Sequence, residues 1–380
     1  PGLRQGAAWH LHVRLLQSMG VPFHWFDLTL IPLLAAGVAA FFLGVTALAG
    51  PATGLLAAFS LALPHVLHPD LVLTPWNPSL VPLPAVVLTL AVAGAARDGR
   101  AVHSPIAAAA LSLLCSLHLA YHTLIPGVLV ALVISRPRRR ALPILAGSAL
   151  LFLVSQATLS LDAQLHNLGA VLSGLGGPEF AGAPGAAPFS PWAWWAPLAS
   201  TAAWGIGRTL DRGPLRRVAD GLALVSIPSL LILTGFGALR NQQVSFRYIA
   251  ALAPAMSLLV AIALTRAGAA AWRGTGLPVP GRRMRFLRRA ALPAFVLALL
   301  VPVLEMRRPP TEIRPWISMQ DVKLIAEALP PLGIHTYEDA FCSLRGPLVR
   351  AVLTGLSTQH GFAPHRTITD GRCPGERASQ

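Results

Sequence analysis

The chain is short of charge. Only 12% of its 380 residues are Asp, Glu, Lys or Arg, about half the share that a soluble domain carries, so most of its length cannot face water. Lysine is nearly missing as well, since Lys323 is the only one among 30 basic residues, and 15 acids leave a formal net charge of +15. A balance this basic raises nucleic acid as a partner, but the arginines gather in short gaps between apolar runs and not along an aromatic-studded face, which excludes that reading. There is no secretory signal of basic n-region plus short apolar core, no internal repeat, and no low-complexity stretch beyond "GLGGPEFAGAPGAAPFSP" ahead of Trp192. The three cysteines carry no spacing signal.

What is present is apolar sequence. Hydrophobic residues make up 54% and the mean hydropathy is +0.60, which identifies a polytopic, all-α membrane protein. Judged against the roughly 20 apolar residues needed to cross a hydrocarbon core, the spans are Leu28 to Leu48, Thr53 to Leu67, Ser79 to Ala96, Ser104 to Leu119, Tyr121 to Ser135, Ala141 to Ser160, Trp192 to Ile206, Val218 to Leu239, Phe246 to Thr265 and Ala290 to Leu304. The expected architecture is a transmembrane helical bundle over residues 28–305. An extracytoplasmic or interfacial segment, 1–27, precedes it, and a small extracytoplasmic region, 306–380, follows.

Arginine tests this division independently, because short cytoplasmic loops are enriched in it. Alternate gaps hold Arg97 and Arg100; Arg136, Arg138, Arg139 and Arg140; Arg208, Arg212, Arg216 and Arg217; and Arg266, Arg273, Arg282, Arg283, Arg285, Arg288 and Arg289. The opposite gaps hold only Arg4, Arg14, Arg240 and Arg247. Seventeen against four places both termini outside. Joining 101–135 into one span would flip every later loop and destroy the pattern, so two spans are expected there. Because the chain opens at Pro1 in an external segment, a first inward-to-outward helix is expected upstream.

Polar groups then converge on the arginine-poor side. Trp76 and Asn77 lie in "HPDLVLTPWNPSLVPLP", with Asp70 nearby, and read either as an irregular cavity rim or as an interfacial anchor and a helix N-cap followed by Pro78. His118 and His122 are spaced i, i+4, which on one helix would suit a metal, or would line a cavity mouth by hydrogen bonding. Arg240 and Arg247 run against the orientation rule. Each either clamps a phosphate bidentately, with Tyr248 beside Arg247, or snorkels to headgroups.

The order of "GP" (Gly50, Pro51) with "ATGLLAAFSLALP", then "WNPSLVPL", "LHLAYHTLIPGVLVALVISRPRRR" and "FRYIAALAPAMSLLVAIAL" resembles the GT-C glycosyltransferases of the protein mannosyltransferase and aminoarabinose transferase type, through most of Leu11 to Thr265. The resemblance implies sugar transfer from a polyprenyl-phosphate donor to an extracytoplasmic acceptor at the bacterial inner membrane, with cations holding the departing lipid phosphate, often aided by a divalent metal. In that family the catalytic Asp follows the first helix. It is therefore expected upstream of Pro1, Asp70 being the substitute within the chain, and this chain alone is expected to lack activity if that segment is essential. A lipid or solute transporter, or a non-catalytic assembly protein, would also place polar groups between helices, although a transporter calls for broken helices or charges at mid-span. In the C-terminal region "SMQDVKLIAEAL" reads as an amphipathic helix, and Cys342 and Cys373 lie in an oxidising compartment on this topology, where a disulfide between them is open. Cys115 is intramembrane.

Overall fold

The computed structural model describes residues 7–21, 29–67, 80–135, 138–159, 165, 190–211, 213–239 and 246–272, and every regular element among them is helical. These elements are α1 (Ala7–Ser18), α2 (Leu30–Ala49), α3 (Pro51–Leu67), α4 (Pro82–Asp98), α5 (His103–Leu117), α6 (Leu124–Ile134), α7 (Arg138–Leu159), α8 (Trp195–Leu210), α9 (Pro214–Leu239), the single turn α10 (Phe246–Ile249) and α11 (Ala253–Trp272). Short 3-10 turns at Leu119–Thr123, Pro191–Trp194 and Ala250–Leu252 complete them. Three runs are long and apolar enough to cross a membrane by length and composition: Leu30–Ala49, Pro214–Leu239 and Ala250–Ala270. Helices of this kind fit an integral membrane protein. The other apolar helices are shorter, His103–Leu117 and Leu142–Thr158 among them.

The helix ends follow backbone chemistry more closely than apolar content. Gly50 adopts φ +95° between α2 and α3, a conformation that L side chains rarely enter, and its N–H bonds Thr46 O; Pro51 then opens α3, where its missing N–H costs nothing. The expected span Ser79 to Ala96 is instead a helix starting at Pro82, for the same reason, and running to Asp98 before Gly99 closes it at φ +66°. Three further expectations shift in the same way. A 3-10 turn takes the first residues of Tyr121 to Ser135, another precedes α8 at Trp192, and Phe246 to Thr265 is divided into α10, a 3-10 turn and α11, whose second residue is Pro254. Arg216 and Arg217 lie inside α9, beyond the apolar window, because helical hydrogen bonding does not stop where hydrophobicity does. The expected span at 290–304 and the whole region 306–380, with Cys342 and Cys373, lie outside the described residues. Cys115 is a buried free thiol.

At the centre α4 faces two clusters of buried apolar side chains. Val81, Ala85, Leu88, Val92 and Ala95, at helical spacing, pack with α5, α6 and part of α9, while Val86 and Ala93 pack with α2, α3, α8, α9 and α11. Small residues permit this density. A Cβ at Gly44 would meet the Leu90 side chain at 2.6 Å, and one at Gly221 would meet Ala96 Cβ at 3.1 Å. Exposed apolar side chains cover the outside, including Leu43, Phe59, Leu142, Leu150 and Phe236, as expected where lipid is the solvent. On α1, Leu16 is buried against the bundle while Leu11, Leu15 and, just past its end, Met19 are exposed, and burial lowers the pKa of His12.

Contacts between distant residues fix which ends meet. Arg97 donates to Ala47 O at 2.7 Å, Thr53 and Thr265 hydroxyls lie 3.2 Å apart, and a Cβ on Gly99 would come within 3.3 Å of Ser135 O. Arg266 pairs with Asp211 at 2.9 Å, and Arg208 lies 3.8 Å from Asp220 while its guanidinium covers the Trp204 ring. The turns that carry Arg97 and Arg100, Arg208, and Arg266 therefore share one end of the bundle. Residues 99 and 135 can meet there only because the chain reverses between α5 and α6, so 101–135 forms two helices.

A buried polar side chain ties α7 to this core. Gln156, buried, donates from Nε2 to Ser112 O and Ser112 Oγ, both at 2.7 Å. Gln156→Ala removes the donor and leaves a gap, so about 1–3 kcal/mol of stability should be lost; hydrogen–deuterium exchange in detergent should show α7 opening before α4. Uniform exchange across both helices would contradict this.

Candidate functional site

At the end away from the arginine turns, the loop between α5 and α6 meets α10. His118 ends α5 with an extended backbone, φ −155° and ψ 137°, and its own N–H closes onto Leu114 O at 3.1 Å. Its Nδ1 accepts the N–H of Ala120 at 3.1 Å, so the imidazole caps the 3-10 turn Leu119–Thr123. That turn places Tyr121 inward, 1% exposed, and lets His122 Nδ1 reach Leu119 O at 2.9 Å. Ser229 on α9 locks the far side, donating from Oγ to Thr123 O at 2.9 Å.

Across this turn lies Tyr248. Its ring centroid is 5.1 Å from that of His118, tilted by 59°, while Tyr121 lies 5.6 Å from the same imidazole at 55°, within the range of favourable aromatic pairs. Tyr248 is 38% exposed, so the cluster reaches the surface on that side. Arg247 precedes it within α10; its side chain lies outside the described residues, as do Arg240, Trp76, Asn77 and Asp70. Beside the turn, an apolar recess of about 220 Å³ opens between α2, α4 and α5, lined by residues such as Leu33, Leu83 and Leu117.

His118, His122 and Tyr248 thus share one end of the bundle, two of them in ring contact. His118 and His122 do not share a helical face, because the helix breaks at the first of them and each Nδ1 is directed to backbone. Among the described residues no group of three or more His, Cys, Asp or Glu is placed to hold a metal. Tyr121 was not expected in the cluster. Its signal is the i, i+3 spacing from His118 in "HLAYH", which reads as turn only once the helix is known to break there. The acids Asp98, Asp211 and Asp220 are all engaged at the opposite end, with Arg100 and His103, Arg266, and Trp204, respectively. Neither a protein-family model nor a curated protein matches the chain, so the chemistry of the cluster is read from its own residues.

Proposed function

We propose that the chain is a GT-C-type membrane glycosyltransferase, binding a polyprenyl-phosphate-linked sugar at the extracytoplasmic face of a bacterial inner membrane. The observation that supports this best is the meeting of His118 and Tyr248 beside Arg247. Two turns separated by more than a hundred residues bring hydrogen-bonding aromatic side chains to the arginine-poor end, where a guanidinium has no reason of topology to be. A phosphate joined to an apolar chain answers both features: its oxygens suit the cation and ring donors, and the recess at Leu117 suits the chain next to the phosphate. In this reading the bundle has ten spans with both termini outside, and the acceptor is approached from that side. The chain, purified and placed in nanodiscs, should bind polyprenyl phosphate; failure to bind would overturn the reading.

The orientation has its own test. Reporter fusions in the loop at Gly274 and at the C-terminus should report opposite sides of the membrane, because Arg266, Arg273 and the arginines from 282 to 289 hold that loop inside. The same side for both would sink the ten-span arrangement.

A further inference from the structure

We infer that Arg216 and Arg217 form a binding site for the headgroup of an anionic phospholipid, in the leaflet that the arginine-rich end of the bundle meets; placing that leaflet on the cytoplasmic side rests on the orientation proposed above. The acids described at that end are already engaged. Asp98 holds Arg100 and His103, Asp211 accepts the Gly213 N–H at 2.6 Å and pairs with Arg266 at 2.9 Å, and Asp220 accepts the Trp204 indole N–H at 2.7 Å with Arg208 3.8 Å away. Arg97 is satisfied by Ala47 O. Arg216 and Arg217 differ from these arginines, since both are exposed and neither has an acidic partner among the described residues.

Adjacent guanidinium groups repel, and the opening residues of a helix disfavour cations because its dipole is positive there. A bound anion relieves both effects. The apolar face of α9 decides which anion: helical steps from Arg217 lead to Leu224, half-buried, and then to Pro228 and Leu231, both exposed, with Ile232 and Leu239 exposed beside them. From Arg217 to Leu239 a helix rises roughly 33 Å, about the thickness of a hydrocarbon core, so the two arginines stand at its border when this face lies in lipid. An acyl chain laid along the face brings its phosphate to them. A soluble anion or a nucleic acid would use the charge and leave the apolar face idle, whereas a phospholipid uses both. An anionic headgroup suits the pair better than a zwitterionic one, whose own cation the guanidinium groups repel.

Dioctanoyl phosphatidylglycerol titrated into the chain in nonionic detergent should bind, and dioctanoyl phosphatidylcholine should bind about tenfold more weakly or less. The double variant Arg216→Gln, Arg217→Gln should weaken phosphatidylglycerol binding about twentyfold, since each arginine near an anionic lipid surface contributes about a factor of five. Arg14→Gln, which removes an exposed arginine from α1, should change nothing. In lipid-free detergent the thermal midpoint of the double variant should equal or exceed that of wild type, because two unpaired cations leave the start of a helix; a lower midpoint would make the pair structural and overturn the inference. So would no binding of phosphatidylglycerol, equal binding of the two lipids, unchanged affinity in the double variant, or an equal loss in Arg14→Gln. Displacement of the lipid by inorganic phosphate or single-stranded DNA at the same concentration would overturn the phospholipid as occupant. Micelles have no sides, so failure of the reporter fusions would overturn only the leaflet, and failure of this titration only the site.

Discussion

Gly127→Ala should cost the protein its α6–α9 contact, the tightest approach to backbone among the described glycines. A Cβ at this position would lie 2.8 Å from Val225 Cα and closer still to the carbonyl oxygen of Leu224. Both are backbone atoms of α9, so no side chain can rotate away. The chemistry of α9 explains why the approach occurs at this point. Pro228 sits inside that helix and has no N–H to offer the carbonyl four residues earlier, Leu224. The glycine lets α6 close over this freed carbonyl, where a Cα–H contact is the available substitute. Adding a methyl forces the helices apart, and overpacking of this kind costs about 1–3 kcal/mol even where side chains can adjust. We expect the upper end or beyond, read as a fall in thermal midpoint of roughly 5 °C or more in detergent. The damage should extend to the candidate site, since moving α6 away from α9 strains the Ser229 to Thr123 bond that holds the His118 turn. Gly147→Ala on α7, where nothing lies within 4 Å of the added methyl, serves as control and should be neutral or stabilising by up to about 1 kcal/mol through helix propensity. Equal behaviour of the two variants would show that α6 and α9 do not meet at this glycine.

The contrast between these glycines shows what can and cannot be read along a chain. Gly127 and Gly147 both sit in apolar helical sequence, and nothing local distinguishes them; only the partner helix does. The alternation of arginine-rich and arginine-poor gaps was legible because it is one-dimensional, a sum over loops. Part of it reappears in space among the described residues, as Arg97 on Ala47 O, Arg266 on Asp211 and Arg208 beside Asp220. Helix existence was legible for the same reason where the expected spans fall among the described residues, since apolar runs have a length; α1, which is not an apolar run, was not expected. The ends were not, because Pro82, Gly99 and Pro214 act through backbone N–H groups and φ angles that an apolar window does not weigh. The pairing of α2 with α4, which run parallel so that Gly37 meets Leu83 and Gly44 meets Leu90, was hidden altogether. Side-chain shape decides such pairing, and Leu and Ala look alike to lipid and to protein. At the site, the residue types were legible and their geometry was not. His118 and His122 invite a metal when drawn on an ideal helix, and the invitation disappears when the helix breaks at His118 and a 3-10 turn spaces them three residues per revolution.

Replacing Arg247 with alanine should weaken polyprenyl-phosphate binding by about two orders of magnitude or more, the largest effect expected of any site residue. The position lies in α10, one residue before the Tyr248 ring that packs on His118, and on the side of the bundle where the sequence otherwise avoids arginine. A guanidinium can present two parallel N–H groups to one phosphate, and each hydrogen bond to a charged group contributes about 1.5–3 kcal/mol. Arg247→Lys keeps the charge and loses the fork, so it should recover only part of the affinity. Tyr248→Phe distinguishes a different contribution: it keeps the aromatic contact and deletes the hydroxyl, so a drop in affinity would place that oxygen on the ligand. If Arg247 snorkels to headgroups instead, its loss changes membrane insertion and leaves binding in detergent untouched, because no bilayer is present to reward it. Titrating polyprenyl phosphate into detergent-solubilised wild type, Arg247→Ala and Arg247→Lys therefore decides the matter. A graded loss in the order wild type, lysine, alanine means a bidentate clamp, an equal loss in both variants means that geometry dominates over charge, and no loss in either rejects the clamp.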